Sequence, residues 1–363
     1  MENQQKPRLE LMHVGGQAIL KGVMMRSPNS FAIAVRRANG EIALKEDAWE
    51  GLFGKLPFLK LPFLRGGAVL LESMHNGMKA LRWSAEQAME DEEAAEAAEK
   101  GVEVAPVAAE EKKGSAAVGG TIVISLLLGF ALFIGLPHLL SWGLGELLGI
   151  EGMDGKSPAF HAVAGVFKLT IFLGYLWLIS RMPDIQEVFR YHGAEHKSIY
   201  CYEAGEALTL ENARKYTTLH PRCGTSFLII VIVTAILTFS LVFAGMPDLT
   251  EIGWLNQLLF ILIKLPLLFP IAGLAYEFQK MSAKFPNSVF IRPLIWPGLM
   301  LQKITTSEPS DEQLEVALAS LRKVLWREEV GATVKAAEEI EYYTDYAAIN
   351  PEPAGAAMQA QGS

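Results

Sequence analysis

The chain has 363 residues, of which 51% are apolar and 20% are charged, and its mean hydropathy is positive. This composition excludes a simple water-soluble globular protein and leaves room for a membrane domain with small soluble parts. The formal net charge of -8 offers no basic surface for nucleic acid, so we expect no nucleic-acid partner.

Residues 1–64 are predicted to form a cytosolic region that contains a β-hairpin. Residues 31–35 and 41–44 are apolar runs, and the pair Asn39-Gly40 between them favours the positive φ angles of a tight turn. The sequence therefore predicts an antiparallel strand pair before the first membrane segment.

A glycine-rich stretch precedes the hairpin and supplies candidate ligand-binding residues, namely Gly15, Gly16, Gln17 and Arg26. Glycine lets backbone approach a ligand closely, and an arginine can pair with an anionic group. The same glycines could instead form a turn between strands, and both interpretations stay open.

Residues 65–84 have apolar side chains near helical spacing beside charged ones, which predicts an amphipathic helix. It lies either at the membrane surface or in the core of a small cytosolic domain. Residues 85–115 are rich in Ala and Glu, which is typical of an acidic linker or a solvated helix.

Four segments, about 116–140, 159–180, 225–246 and 253–276, approach the roughly 20 apolar residues that a membrane span needs. They define a membrane domain over residues 116–276. The loop at 181–224 carries most of the basic residues between the spans, so the positive-inside rule predicts that it and both termini are cytoplasmic.

That loop holds the most distinctive motif of the chain. His192, Glu195 and His196 form the pattern H-x-x-E-H, and two histidines four residues apart share one face of a helix, where they could bind one metal ion. Glu195 is the candidate general base. A helix with merely hydrogen-bonded polar residues would show the same pattern.

A second pair of possible ligands, His220 and Cys223, follows in the same loop. The four side chains predict a divalent metal, with zinc favoured by the His/Cys set. A closed site would use all four ligands, whereas an open site would use three and leave a position for water. Lys197 and Arg222 are further candidate ligand-binding residues, and we expect the loop to form one composite site with the glycine-rich stretch.

Two lysines, Lys168 and Lys264, fall inside predicted spans. They could bind a lipid phosphate or a substrate anion, but snorkelling toward the membrane surface is the favoured interpretation.

Residues 277–330 are predicted to be a cytosolic C-terminal region with an amphipathic helix. Ser310 and Gln313 form a capping box that opens this helix. Residues 331–363 are predicted to be a partly disordered tail.

The chain resembles the bacterial YqhQ-like family, a domain-of-unknown-function family (number 1385), over roughly Met12 to Leu321. The blocks that carry the resemblance are residues 15–18, 22–26, 192–197, 220–227, 305–306, 308–309 and 311–314. The resemblance implies an integral protein of the bacterial inner membrane, from a family whose members are often labelled metal-dependent enzymes.

The sequence thus predicts an α-helical integral membrane protein with about four transmembrane helices and a small cytosolic α+β portion. We expect it to act as a structural or assembly factor with a metal site, or alternatively as a membrane metallo-hydrolase directed at peptides or lipids. Membrane lipids, another membrane protein or a second copy of the chain are the expected partners.

Overall fold

A computed structural model describes residues 12–49, 51, 56–100, 114–150, 152–285, 288–289, 291–330 and 340–349. Most of these residues are helical, and a five-stranded sheet lies at one end of the helices. The strands are β1 (Gly15–Ile19), β2 (Gly22–Arg26), β3 (Ser30–Arg36), β4 (Ile42–Ala48) and β5 (Glu341–Tyr343). The helices are α1 (Leu64–Lys100), α2 (Gly114–Phe130), α3 (Leu136–Leu148), α4 (Pro158–Ile179), α5 (Pro183–Glu203), α6 (Leu210–Arg214), α7 (Gly224–Phe243), α8 (Gly253–Lys284), α9 (Arg292–Thr305) and α10 (Asp311–Val330).

The sheet is antiparallel, with the strands in the order β1-β2-β3-β4-β5. The predicted hairpin is confirmed as β3 and β4, and Gly40 in its turn has a φ of 89°. The glycine-rich stretch forms β1 and β2, which pair with each other from Gly15–Arg26 to Ile19–Gly22. The fifth strand comes from the segment predicted as a tail, so part of that segment completes the sheet edge.

Both faces of the sheet are covered by helices. Helices α5 and α10 cover one face, where Met25 and Leu44 pack in the same core as Leu318. Helix α1 covers the other face, where Ile33 packs with Trp83. Each such fully buried apolar side chain contributes about 1.5–3 kcal/mol. The small α+β portion is therefore a three-layer unit.

Helix α10 begins with the predicted capping box. The Ser310 backbone N–H donates to Gln313 Oε1 at 2.9 Å, and the Gln313 N–H donates to Ser310 Oγ at 3.4 Å. The helix ends at Val330. Near its end, the fully buried Arg327 donates to Glu46 on β4 at 3.0 Å.

Among the described residues, four helical segments are long and apolar enough to cross a membrane: Val123–Leu148, Pro158–Ile179, Gly224–Phe243 and Gly253–Ser282. The first combines the end of α2, a π-helical turn at Ala131–Gly135 and α3, so it ends eight residues later than predicted. Helix α8 continues through Pro266 and Pro270.

Helix α1 confirms the amphipathic helix predicted for residues 65–84. One face packs against α8 and the sheet, and Arg65 forms an ion pair with Glu277 of α8. The other face exposes apolar side chains, among them Leu71, Met74 and Met78. The helix also continues to Lys100, through much of the segment predicted as a linker.

The snorkelling interpretation is wrong for Lys264. Its side chain is buried within the helices, and Nζ lies 2.7 Å from His138 Nδ1. The ammonium group also lies 5.3 Å from the centre of the Phe239 ring, and Lys168 Nζ lies 5.9 Å from the same ring. The two lysines therefore face one polar cluster inside the bundle.

Candidate metal centre

Helix α5 carries the H-x-x-E-H motif and lies between β1, α10 and the loop that follows α9. His192 and His196 lie on one face, with their ring centres 4.4 Å apart. Gly193 permits the close approach of that loop, because a Cβ at this position would overlap the backbone carbonyl of Ser307. The Ser307 N–H donates to the Phe189 carbonyl at 2.9 Å, which holds the loop against α5.

Backbone carbonyls set the tautomers of both histidines. Nδ1 of His192 lies 2.8 Å from the carbonyl oxygen of Thr305, and Nδ1 of His196 bonds to the carbonyl oxygen of Thr218. A carbonyl can only accept, so each Nδ1 must carry the proton and each Nε2 has a free lone pair. This orientation by a hydrogen bond at the second ring nitrogen is typical of metal-binding histidines.

Cys223 faces these lone pairs from the N-terminus of α7. Its Sγ lies 3.1 Å from His192 Nε2 and 3.2 Å from Thr225 Oγ1. Burial by itself raises the pKa of the thiol, but the interactions with His196 and Thr225 outweigh it, and the pKa is lowered. A lowered pKa favours the thiolate, which is the form that binds metal.

The three donor atoms of His192, His196 and Cys223 all lie within 4.8 Å of one another. A tetrahedral zinc ion with ordinary bond lengths holds its ligand atoms about 3.3–3.8 Å apart, so small side-chain rotations suffice. Burial lowers the pKa of His196, which favours the neutral imidazole that coordination requires, although the interactions with Cys223 act in the opposite direction. Nε2 of His196 is buried and has no hydrogen-bond partner in the described part of the chain. The donor set fits a zinc ion.

His220, the fourth predicted ligand, lies beside this trio rather than in it. Gln302 fixes its backbone by accepting from the His220 N–H at 2.7 Å and donating to its carbonyl at 2.8 Å. Its ring centre is 5.5 Å from that of His196, and its Nε2 lies 3.5 Å from a Glu203 oxygen. Burial lowers the pKa of His220 to about 4. The structure thus brings together three of the four predicted ligands.

Glu195 reaches the N-terminal sheet from α5. A Cβ at Gly16 would lie 2.7 Å from Glu195 Cγ, so glycine at this position makes room for the side chain. Burial raises the pKa of Glu195 to about 8, although His192 and the backbone of Ala18 act in the opposite direction and Cys223 acts in the same one. The composite of loop and glycine-rich stretch expected from the sequence is present.

A cavity of about 310 Å³ opens beside the three donor atoms, between α1, α5, β1, β2 and the adjoining ends of α7 and α8. Its wall includes Val14, Gly15, Gly16, Arg26, Gly66, Val69, Leu70, Ser73, Glu195, His196, Ile199, His220, Arg222, Cys223, Gly224, Phe227, Tyr276 and Gln279. Two of the three donor residues, His196 and Cys223, therefore face open space together with Glu195.

The predicted ligand-binding residues divide into two groups. Gly15, Gly16, Arg26 and Arg222 contribute to the cavity wall. Gln17 does not, because its side chain packs against Gly77 of α1. Lys197 is buried away from the wall, where it forms an ion pair with Glu308 and donates to the Arg214 carbonyl.

Several residues of the site carry no signal in the sequence. Thr218 and Thr305 act through backbone carbonyls, which any residue type supplies. Gln302 stands in the mostly apolar helix α9 and belongs to no motif of the sequence. Val69 and Leu70 were predicted only as part of an amphipathic helix. Only Thr305 falls in a block that carried the family resemblance.

Comparison with known proteins identifies the family of the chain. The family described as "Protein of unknown function (DUF1385)" matches residues 61–327. The chain belongs to this family. It is 33% identical over 326 residues to "Uncharacterized protein YqhQ" of Bacillus subtilis (strain 168), an alignment that covers 86% of this chain and 92% of that protein. No solved structure matches the chain. The family description and the name of this relative state no activity.

Proposed function

We propose that this protein is a membrane-embedded zinc hydrolase whose centre consists of His192, His196 and Cys223. The observation that carries the proposal is the pair of Nδ1–H bonds to backbone carbonyls, which turns both Nε2 lone pairs toward Cys223. Three protein ligands leave a fourth position, as in catalytic zinc sites. The adjacent cavity supplies room for a substrate at that position.

Zinc in such a site lowers the pKa of a bound water toward about 7 and polarises a carbonyl or phosphoryl oxygen. Glu195 lines the cavity next to His196, so its carboxyl group is placed to exchange a proton there. Its pKa of about 8 means that it is mostly protonated at neutral pH, and it accepts a proton only once it is ionised. Gly16 keeps the wall clear around that carboxylate. His220 lies in the same wall with an Nε2 atom that has no hydrogen-bond partner among the described residues.

The alternative is a structural zinc site in an assembly factor of the membrane. It is favoured by the number of elements that the site joins, because α5, α7, the Thr218 loop and the end of α9 all contribute to it. A closed structural site needs a fourth protein ligand, and His220 is the available side chain. Its fixed backbone and its contact with Glu203 favour the open site instead.

Metal content of the purified full-length protein in detergent tests the proposal. We expect about one zinc per chain in the wild type, and a loss of at least tenfold in zinc affinity for His196→Ala and Cys223→Ser, because each removes one of three ligands. Cys201→Ser is the matched control, since Cys201 is the other buried cysteine and its Sγ bonds to the Ala207 carbonyl.

His220→Ala separates the two versions of the site. The open site predicts that this variant keeps its zinc, whereas the closed site predicts that zinc is lost together with thermal stability. Glu195→Gln is expected to keep both zinc and fold. A wild-type protein that binds no zinc at any pH between 6 and 8 would exclude both versions.

The place of the protein in the cell is part of the proposal. We infer a bacterial inner-membrane protein with the sheet, the zinc centre and both termini in the cytoplasm, supported by the basic residues of loop 181–224. Green fluorescent protein fused after residue 363 should then fluoresce, and alkaline phosphatase fused at Gly152 should be active. The reverse pattern would contradict this topology.

A further inference from the structure

Arg26 is the one cation of the cavity wall that lacks an ion-pair partner within the described chain. Its guanidinium lies 4.7 Å from the centre of the Trp49 ring, and Nη1 donates to Ser73 Oγ at 3.3 Å. Tyr276 and Glu72 are close enough to interact with it electrostatically, but no ion pair joins Arg26 to a carboxylate of the described residues. Most of its five N–H donors remain available for a ligand.

The neighbouring cations are all paired. Arg222, which also lines the cavity, forms an ion pair with Glu203. Lys197 is paired with Glu308 and Arg65 with Glu277. A largely desolvated guanidinium that no carboxylate contacts directly is costly, and a planar guanidinium matches the two oxygens of a phosphate. Arg26 therefore stands out as the anion-binding group of this cavity.

The strand β1 leaves Arg26 accessible from the cavity. A Cβ at Gly15 would lie 3.7 Å from Arg26 Nε, and a Cβ at Gly16 would lie 2.9 Å from Glu195 Oε1. Larger residues at these two positions would fill the space between the guanidinium and Glu195. The glycine pair thus keeps Arg26 and the zinc centre in one continuous space.

Part of the cavity wall is apolar. Val69 and Leu70 of α1 face it together with Phe227 of α7. Helix α7 is long and apolar enough to cross a membrane, and α1 exposes further apolar side chains next to Leu70, including Leu71 and Met74. An acyl chain could therefore pass from this wall to the bilayer without crossing a polar surface.

We propose that the cavity binds an anionic amphiphile through its phosphate, with Arg26 on the phosphate and an apolar chain along Val69, Leu70 and Phe227. This inference rests on the proposed hydrolase, because it names the class of substrate that reaches the zinc centre. The phosphate would lie beside Arg26, in the cavity whose wall also includes Glu195, His196 and Cys223.

Binding of phosphatidic acid to the full-length protein in detergent tests the inference, with diacylglycerol as the probe that lacks phosphate and inorganic phosphate as the probe that lacks the chain. We expect phosphatidic acid to raise the melting temperature and the other two probes to have little effect. Arg26→Gln should weaken binding of phosphatidic acid by at least tenfold. Arg82→Gln, an exposed arginine on α1, is the matched control.

Leu70→Trp provides an independent variant, since Leu70 is partly exposed and should tolerate the change. It should weaken phosphatidic acid binding by narrowing the apolar wall while Arg26 stays intact. Unchanged binding in Arg26→Gln, or equal binding of inorganic phosphate and phosphatidic acid, would overturn the inference. Zinc content distinguishes a failure of this inference from a failure of the proposed hydrolase. An Arg26→Gln protein with normal zinc content and normal lipid binding would refute only the binding of the amphiphile through Arg26. A wild-type protein without zinc would refute the hydrolase.

Discussion

At the scale of single residues, the site depends on backbone atoms that the sequence does not reveal. The H-x-x-E-H spacing places His192 and His196 on one face of α5, because a helix repeats every 3.6 residues. Which nitrogen of each ring faces the other ligands is decided by the carbonyls of Thr218 and Thr305. The sequence therefore predicted the candidate ligands but could not separate the three that converge from His220.

The position of Glu195 was also beyond what the sequence pattern could predict. Adjacent helical residues point about 100° apart, so its orientation relative to His196 could not be derived from spacing alone. The structure places Glu195 in the cavity wall because the glycine at position 16 leaves room for it. That contact joins residues far apart in the chain, and local patterns do not encode it.

Glu328 gives a pH-dependent prediction at the residue scale. Ser27 and Ser30 donate to its Oε2 at 2.6 and 3.0 Å, and Asn29 donates to its Oε1 at 2.6 Å. Burial by itself raises the pKa of Glu328, but these hydrogen bonds outweigh it, and the pKa is lowered. A lowered pKa in the folded state stabilises the protein above the unfolded pKa, and this stabilisation is lost as pH falls through the folded value.

Glu328→Gln should therefore reduce the free energy of unfolding by roughly 1 kcal/mol near pH 7, a modest value because the group is partly solvated. The difference from wild type should shrink as the pH is lowered below about 4.5. Thermal unfolding of the wild type and of Glu328→Gln, from pH 7 to below about pH 4.5, measures this difference in stability. Substitution of an exposed glutamate, Glu93→Gln, is the control. A difference that is constant with pH would show that the carboxylate charge is not responsible.

At the scale of elements, sequence patterns predicted the parts with strong local signals. The β3–β4 hairpin follows from its Asn-Gly turn, α10 from its capping box, and the spans from continuous apolar residues. Strand β5 was missed because three residues in an otherwise polar segment give too short a pattern. It exists because β4 offers an unpaired edge, which is a tertiary effect.

The polar cluster inside the bundle was also missed. Gln257 Oε1 can only accept, so His138 Nε2 at 2.8 Å donates to it, and His138 Nδ1 accepts from Lys264 at 2.7 Å. Three residues from two spans thus form one hydrogen-bonded chain. Each of them, taken alone, was an isolated polar residue in an apolar segment.

The hydrogen-bonded series of Gln257, His138 and Lys264 predicts unequal effects of two substitutions. His138→Leu leaves the buried ammonium of Lys264 without its acceptor and should destabilise the protein by roughly 2–4 kcal/mol. Lys264→Met removes the charge itself and should cost less, or even stabilise the bundle. Unfolding in detergent measures both, and the double variant should recover most of the loss. If Lys264→Met alone reduced the free energy of unfolding more than His138→Leu does, the proposed pairing of Lys264 with His138 would be refuted.

At the scale of the whole molecule, the site forms where the three-layer α+β unit meets the ends of the spans. The cavity draws its wall from the N-terminal strands, α1, α5 and the beginnings or ends of α7 and α8. The sequence predicted that the loop and the glycine-rich stretch would combine, because membrane topology puts both on one side. It could not predict that α1 would close the cavity, because either face of an amphipathic helix can be the buried one.

The proposed hydrolase requires that zinc has three protein ligands and one position open to the cavity. X-ray absorption at the zinc edge of the purified full-length protein measures this ligand set directly. We predict two nitrogen ligands at about 2.0–2.1 Å, one sulfur at about 2.3 Å and one additional oxygen, with the spectrum unchanged in His220→Ala. A third nitrogen ligand that disappears in His220→Ala, or the absence of any sulfur ligand, would contradict the open centre.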